Sequence, residues 1–354
     1  MRAFLKKKGI EFSPKKYFID AFGAMAKGLF CSLLIGTIFK SIGSKCGIEF
    51  FVDLGTFAST VAGPAMALAI GTALKAPDMV LFSLISVGWA ANSLGGAGGP
   101  LAVYLIAVVA CEAGKIVSGE TKVDILVTPA VTIITGGILS VLFAPALGAL
   151  ASSFGDLIVS ATKLQPFLMG ILVSVLVGMA LTLPISSAAI CAALGITGLA
   201  GGAAVAGCCA QMVGFAVMSF KENGWGGIVS QGLGTSMLQI PNIIKNPKIW
   251  IAPILTSAIT GPLATCFFHL QMNGTPVNAG MGTCGLCGLI GVITGWAEPS
   301  VEALGKGAVA MVPSGMDYLG LFMICIILPA VLCFVFGQFE RKIGWIKDDD
   351  LLLR

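Results

Sequence analysis

Charged side chains are scarce in this 354-residue chain, where Asp, Glu, Lys and Arg together make up 11% of the residues. A soluble domain carries roughly 25% charged residues, because its surface must be covered against water. Hydrophobic residues make up 56%, and the mean hydropathy is +0.97. These values exclude a soluble enzyme, a nucleic-acid binder, a coiled coil and a secreted disulfide domain. They predict a protein that crosses a lipid bilayer several times.

Residues that commonly carry catalysis are also few. The single histidine, His269, lies beside two phenylalanines, and no carboxylate cluster or metal-ligand spacing accompanies it. No phosphate-binding loop of the GxxxxGK[ST] type is present, which excludes ATP-driven transport by this chain alone. We therefore expect no catalytic residue, no metal and no cofactor, and no nucleic-acid partner.

The eleven cysteines do not form a disulfide framework, since most lie in apolar stretches where cysteine acts as a small hydrophobic residue. Cys284 and Cys287 match a CxxC spacing. A redox or zinc role would need a βαβ context or a second pair of ligands, and neither is present. We interpret this pair as small residues that pack in a glycine-rich element.

Long stretches without charge predict the membrane helices, because a spanning helix needs about 20 mostly apolar residues. A further apolar segment, near residues 17–44, is interrupted by only three charged residues. Two of the charge-free stretches are long enough for two passes each, so we predict about ten membrane elements, some of them re-entrant. The charge-free stretches are residues 54–74, 79–111, 125–155, 164–220, 223–244, 249–297 and 318–339.

Basic residues near both ends of the chain indicate its orientation, because basic flanks favour the cytoplasmic side of a membrane. Residues 1–19 and 341–354 are both rich in Lys and Arg. We predict two cytoplasmic ends, an even number of spans and one membrane domain over residues 20–340. A secretory signal is the alternative for the first residues, but no small-x-small cleavage site follows the apolar run.

Four polar, glycine- or proline-broken segments interrupt the apolar stretches. Irregular backbone at membrane depth persists only where it lines a cavity or is buried in protein, and pairs of such segments indicate a substrate site near the bilayer midplane. Close helix packing through glycine is the alternative explanation for any one segment. The four segments are residues 92–100, 183–189, 226–236 and 280–285.

The side chains within and beside these segments predict a neutral, hydroxylated ligand. Amide and hydroxyl groups, together with free N–H groups at helix ends, can bind a polyol without carrying charge. Glu298 is the one acidic candidate, whereas Asp53, Glu112 and Lys115 are expected at interfaces where water solvates them. The predicted substrate-binding residues are Asn92, Gly96, Ser186, Ser187, Gln231, Gly232, Gln239, Thr283 and Glu298.

Taken together, these motifs resemble the membrane permease subunit, enzyme IIC, of the phosphoenolpyruvate-dependent sugar phosphotransferase system. The branch that includes the perfringolysin O regulator is the more similar one. The residues that carry the resemblance are NSLGGAGGPLAVYLIA (92–107), ETKVDILVTPAVTIITGG (120–137), PISSAAICAALG (184–195), GCCAQMVGFAVMSFKENGWGGIVSQGLGTSMLQIPNIIKNPKIW (207–250) and AGMGTCGLCG (279–288).

A more distant similarity connects the chain with the fructose-type permeases. Residues 183–189 stand where that group carries Gly-Pro-x-x-Lys-Ala-Ala, and residues 229–232 stand where it carries Ile-Thr-Glu-Gly. Gln231 then replaces a sugar-binding glutamate, and Ser187 replaces the lysine. A glutamine both donates and accepts hydrogen bonds but cannot act as a general base.

The resemblance implies an all-α polytopic fold of about ten helices with re-entrant hairpins, a homodimer and alternating access. It also implies a sugar-like substrate, and phosphorylation only through separate IIA and IIB partner proteins, since their phosphocarrier domains are not in this sequence. Two alternatives stay open. One is a membrane sensor-regulator that binds the same ligand with little transport, and the other is an ion-coupled transporter that uses Glu298.

Overall fold

The computed structural model describes residues 2–10 and 13–353. In these ranges the chain is helical and forms no β-strand, so the predicted all-α class is confirmed. One isolated antiparallel bridge joins Gly198 to Met272. The chain divides into two compact units, residues 1–151 and 152–354.

Within its described residues, the first unit contains six helices and the beginning of a seventh. Helix α2 is built from four consecutive pieces, of which the first and third are π-helical. A 3-10 turn, Gly96–Gly98, separates α5 from α6. The helices are α1 (Arg2–Lys7), α2 (Lys15–Ala21, Phe22–Leu29, Phe30–Leu34 and Ile35–Cys46), α3 (Glu49–Thr60), α4 (Ala62–Ala73), α5 (Asp78–Gly95), α6 (Gly99–Val117) and α7 (Asp124–Thr162).

Glycines that face one another allow these helices to approach closely. Gly36 of α2 lies against Gly55 of α3, and Gly63 of α4 lies against Gly88 of α5. A Cβ atom added at any of the four would overlap backbone atoms of the facing helix. Small residues at helix contacts are typical of membrane proteins, where van der Waals packing drives association.

In the part of the second unit that the structure describes, the end of α7 is followed by ten further helices. Short π and 3-10 turns, Ser230–Gly234 and Ser236–Gln239, separate α11 from α12. The helices are α8 (Pro166–Thr182), α9 (Ser187–Ala193), α10 (Gly198–Met218), α11 (Phe220–Val229), α12 (Ile240–Lys245), α13 (Pro247–Trp250, Ile251–Pro262 and Leu263–Phe267), α14 (Pro276–Ala279), α15 (Cys287–Ala297), α16 (Val301–Leu304) and α17 (Gly315–Phe322, Met323–Ile327 and Leu328–Lys342).

Helix α10 is the centre of the second unit. It packs against α8, α13 and α17, and most of its side chains are buried. Its sequence, GLAGGAAVAGCCAQMVGFAVM, is composed largely of Gly, Ala and Cys, which lets neighbouring backbones come close on every side. At Gly207 an added Cβ would overlap the carbonyl oxygen of Ser174 in α8.

Among the described residues, six helical runs are long and apolar enough to cross a membrane, with α5 and α6 counted together as one run. A seventh span is added if the bent pair α3–α4 counts as one. The bend between α3 and α4 is 50°. Two shorter apolar helices, Pro166–Thr182 and Cys284–Ala297, bring further apolar elements. The chain is a multi-pass membrane protein, while the count of ten elements and the re-entrant hairpins stay predictions.

Candidate functional site

Of the nine predicted site residues, two lie in the first unit and seven in the second. Asn92 lies near the end of α5, half-buried and packed against Gly63 and Gly99. Gly96 is exposed and has a φ of +50°, which a side-chain-bearing residue rarely adopts. The break that Gly96 introduces separates α5 from α6 within one apolar run.

Amide side chains of the second unit form a buried, neutral network. The Gln231 Nε2 atom donates to Ser219 Oγ at 2.7 Å and to the carbonyl oxygen of Gly227 at 3.2 Å. Gln231 Oε1 accepts from Gln239 Nε2 at 2.8 Å, and Gln239 Oε1 accepts from Asn242 Nδ2 at 2.7 Å. The structure therefore brings together two predicted site residues, Gln231 and Gln239, in what we call the amide network.

Local backbone geometry places the amide network. Gly224 kinks α11 with φ 55° and ψ −150°, outside the range of ordinary side-chain-bearing residues. The chain then widens into the π turn Ser230–Gly234, and the Thr235 side chain accepts a hydrogen bond from the backbone N–H of Met237. These irregular turns present Gln231 and Gln239 inward, where both are fully buried.

Backbone groups close to the end of the described chain complete the network. The carbonyl oxygen of Leu351 accepts from Asn223 Nδ2 at 2.8 Å and from Gln239 Nε2 at 3.0 Å. The Leu352 carbonyl oxygen accepts from Asn242 Nδ2 at 3.0 Å. The donors of three amide side chains are thus engaged by the protein's own backbone.

The remaining predicted polar residues hold two glycine-rich segments in place. Ser187 Oγ donates to the carbonyl oxygen of Gly280 at 2.6 Å, which joins α9 to the segment after α14. Ser186 caps α9 by accepting from the N–H of Ala189 at 3.2 Å. Thr283 is buried and donates to the sulfur of Met212 in α10 at 3.6 Å. These contacts gather the 183–189 and 280–285 segments around α10.

Gly232 and Glu298 occupy different environments. Gly232 is buried in the π turn, where an added Cβ would lie 3.6 Å from Cβ of Ala216 in α10. Glu298 is exposed, just after α15 ends. Its position at an exposed helix end differs from the buried position of Gln231.

A second neutral cluster, centred on Gln211, was not among the predicted site residues. Gln211 Oε1 accepts from Trp250 Nε1 at 2.8 Å and from Thr182 Oγ1 at 3.2 Å, and its Nε2 donates to Ser257 Oγ at 3.3 Å. The Thr182 and Ser236 hydroxyl oxygens are 2.8 Å apart. The signal for this cluster was an amide side chain in the middle of the otherwise apolar helix α10.

Ion pairs of the second unit lie at helix ends. Arg341 Nη2 contacts Glu222 Oε1 at 2.7 Å and is largely shielded from solvent. Lys221 Nζ contacts Asp348 Oδ1 at 2.7 Å, with both side chains largely exposed. The hydrogen bond from Lys221, together with its charge, holds the pKa of the Asp348 carboxyl below its usual range.

The first unit contains a cluster of charged residues around Glu112. Lys115 Nζ lies 3.1 Å from Glu112 Oε2 and donates to the carbonyl oxygens of Gly9 and Leu74, each at 3.0 Å. Tyr17 Oη donates to Glu112 Oε1 at 3.0 Å. The prediction that water solvates Lys115 is wrong, since its side chain is 2% exposed and backbone carbonyls replace the water.

The amide network can bind and orient neutral hydroxyl groups, because each amide offers both donors and an acceptor. It contains no ionisable group and so cannot perform acid–base chemistry by itself. Over residues 2–10 and 13–353, no group of three or more His, Cys, Asp or Glu side chains could hold a metal ion.

A family model described as "Phosphotransferase system, EIIC" matches residues 19–353. The chain belongs to this family. EIIC proteins are the membrane permease components of the sugar phosphotransferase system, so membership implies a sugar substrate and agrees with the apolar helices. No curated protein and no solved structure matches the chain significantly. The finer branch, similar to the perfringolysin O regulator, stays a prediction.

Proposed function

We propose that this EIIC protein moves a small, neutral, hydroxylated solute across the cell membrane by alternating access, and that the second unit binds it. The family match over residues 19–353 carries the transport function. The buried amide network supports the neutral character of the ligand, because its groups match hydroxyls and would leave a charged ligand uncompensated.

Gln231 is the central ligand-binding residue in this proposal. It is fully buried, it stands where the fructose-type permeases carry a glutamate, and its amide contacts both Ser219 and Gln239. Gln239 extends the donor set, and Ser186, Ser187, Gly232 and Thr283 support the surrounding turns. Asn92 and Gly96 lie in the first unit and stay predictions from the sequence.

Coupling would come from partner proteins. The amide network contains no histidine or cysteine of the kind that carries phosphate in IIA and IIB proteins. We therefore propose that separate IIA and IIB proteins phosphorylate the sugar as it is delivered. In this proposal the protein is a homodimer in the plasma membrane with both ends cytoplasmic, where basic residues 1–19 and 341–354 flank the membrane domain. Ion coupling is the alternative to phosphorylation by partner proteins, and exposed Glu298 is the candidate residue for it.

The test is a thermal-unfolding scan of the detergent-purified protein against unphosphorylated hexoses, hexitols and pentoses, their phosphates and a few nucleosides. A ligand that binds only the folded state raises the apparent stability according to its concentration over its dissociation constant. We expect a shift with one free sugar. A protein that responds only to phosphorylated compounds would be a sensor or an antiporter, and an unresponsive one would contradict the sugar-like ligand.

Gln231→Ala sharpens this test. Loss of one neutral hydrogen bond costs about 0.5–1.5 kcal/mol, so the affinity for the responding sugar should fall by about two- to tenfold. Gln338→Ala is the matched control, since Gln338 is an exposed glutamine of α17 in the same unit. Equal sugar affinity in the two variants would remove Gln231 from the site.

A further inference from the structure

Residues 347–353 form a short, folded segment after α17. The backbone N–H of Lys347 donates to Asp350 Oδ2 at 2.9 Å, and the N–H of Asp350 donates back to the Lys347 carbonyl oxygen at 3.3 Å. The Leu351 side chain is fully buried. Asp348 and Asp349 are exposed. The segment is therefore a polar turn that is anchored by one buried leucine.

The segment binds the second unit through backbone groups and amide side chains. Besides the bonds from Asn223, Gln239 and Asn242 to the carbonyl oxygens of residues 351 and 352, the Leu353 N–H donates to Asn223 Oδ1 at 2.8 Å. Asn246 Nδ2 also donates to Asp350 Oδ2 at 2.9 Å. The Asn223 amide thus both donates to and accepts from the backbone of the segment, as the backbone of a neighbouring β-strand would.

We propose that residues 347–353 reversibly plug the amide network. This segment must undock before Gln239 and Asn242 can bind a hydroxylated ligand. This inference rests on the proposed function. It adds that the resting state of the site is occupied by the chain itself. Binding of sugar and docking of the segment then exclude each other.

The chemistry of exchange supports a reversible contact. A peptide carbonyl oxygen and a sugar hydroxyl oxygen accept the same amide N–H bond, so the donors stay satisfied in either state. Neither state places a charge in the amide network. Since an unpartnered buried amide is costly, the segment also explains how the network stays intact when no ligand is bound.

The ion pair that attaches the segment to α11 is weak. The Lys221–Asp348 pair has side chains that are 70% and 81% exposed, and exposed pairs contribute little to stability. The Leu351 side chain is the main apolar anchor, because it is the fully buried leucine among residues 351–353. A polar residue at position 351 should therefore release the segment and leave α10 and its neighbours in place.

Two measurements on the full chain test the plug. The first is hydrogen–deuterium exchange of the unmodified protein with and without a saturating amount of the free sugar found in the thermal scan. We expect deuterium uptake at residues 347–353 to rise when sugar is bound. An unchanged uptake in the presence of bound sugar would overturn the plug and leave the transport function intact.

The second measurement is sugar affinity in Leu351→Asp, with Asp349→Asn as the control. Asp349 is exposed and has a φ of 67°, which asparagine tolerates, so this substitution changes the same segment without touching the amide network. A site blocked in about nine of ten molecules gains about tenfold in apparent affinity when the block is removed. We expect that gain in Leu351→Asp and none in Asp349→Asn.

The outcomes separate the two proposals. Equal affinity in Leu351→Asp and the unmodified protein, with the segment released, contradicts the plug alone. A sugar that binds only Leu351→Asp supports both proposals. If no free sugar binds any of these proteins, the proposed function is wrong and the plug is wrong with it. If Leu351→Asp does not fold, the exchange measurement on the unmodified protein decides.

Discussion

The two units use different chemistry for their polar side-chain contacts. In the first, Lys8, Lys16 and Lys115 reach carboxylates and backbone carbonyls near the ends of helices. In the second, amides and hydroxyls centred on Gln231 and Gln211 form buried neutral networks, and ion pairs stay at the helix ends. The charged contacts of the first unit hold its elements in place, whereas the neutral hydrogen bonds of the second unit can be exchanged for bonds to a ligand.

Electrostatics explains the difference. Separating Lys115 from Glu112 would leave a charge in a buried place, so this contact resists exchange. A neutral amide moves from a backbone carbonyl to a ligand hydroxyl without any change in charge. We infer that the second unit is suited to bind and release a ligand. The charged cluster of the first unit serves to hold Lys8, Gly9, Lys16 and Tyr17 against α6 and the end of α4.

The largest expected effect comes from crowding α10. Gly207→Ala would overlap the Ser174 backbone, whereas Gly137→Ala in α7 of the first unit meets open space. Overpacking costs about 1–3 kcal/mol or more, because a backbone carbonyl cannot move aside as a flexible side chain can. We expect a lower thermal midpoint in detergent for Gly207→Ala and an unchanged one for Gly137→Ala. Matching midpoints would contradict the close contact between α8 and α10.

A comparable loss should follow Lys115→Met, which leaves Glu112 as a shielded carboxylate with less compensation. Breaking a buried pair from one side costs about 3–5 kcal/mol when the remaining charge has no other partner. Glu112 is 14% exposed and keeps Lys16 and Tyr17 as partners, so we expect a smaller loss, no greater than that of Gly207→Ala. Lys122→Met, at an exposed lysine of the same unit, is the control. Adding Glu112→Gln to Lys115→Met should restore part of the thermal midpoint, and no restoration would argue against the pair.

Gln211→Ala tests the neutral cluster of the second unit. It removes the acceptor of Trp250 Nε1 and the donor to Ser257 Oγ, so buried groups lose their partners. The expected loss is about 1–3 kcal/mol in the free energy of unfolding. The measurement is the thermal midpoint together with the fluorescence of the protein, with Gln338→Ala for comparison. A variant as stable as the control would mean that the cluster is not structural.

The smallest expected effect concerns pH and the 347–353 segment. The lowered pKa of Asp348 means that its pair with Lys221 stabilises docking above about pH 4, the usual carboxyl range, and is lost as the pH falls through the lowered pKa. Deuterium uptake of the segment, corrected for the intrinsic rate, should therefore rise slightly on acidification. Asp348→Asn should reduce this rise in deuterium uptake. If uptake rises equally in Asp348→Asn and in the unmodified protein, a different titrating group causes it.

Composition and charge spacing predicted the all-helical membrane class, because the bilayer imposes a length and a polarity on every span. The same logic directed attention to Gln231 and Gln239, which are polar residues where packing needs none. Their mutual hydrogen bond could not be predicted, since it depends on the π turn Ser230–Gly234 and the kink at Gly224.

Contacts between residues that are distant in sequence could not be predicted from the sequence. The docking of Leu351 on Asn223 and Gln239 joins positions more than a hundred residues apart, and nothing local distinguishes an exposed polar end from a folded one. Lys115 was misplaced for the same reason, because the carbonyl oxygens of Gly9 and Leu74 that bury it come from other elements. Gln211 is a polar residue in an apolar helix, but a single amide does not distinguish a binding residue from a structural one.

Helix α7 has a consequence for the lipid that surrounds the protein. Its 39 residues extend about 58 Å at 1.5 Å per residue, roughly twice the thickness of a bilayer's hydrocarbon core. Pro129 and Pro145 remove two backbone hydrogen bonds along the way, so the helix can bend as well as tilt. By tilting and bending, α7 can match its apolar length to the thickness of the bilayer. Thicker bilayers should hold α7 more upright, so transport should depend on the acyl-chain length of the lipid.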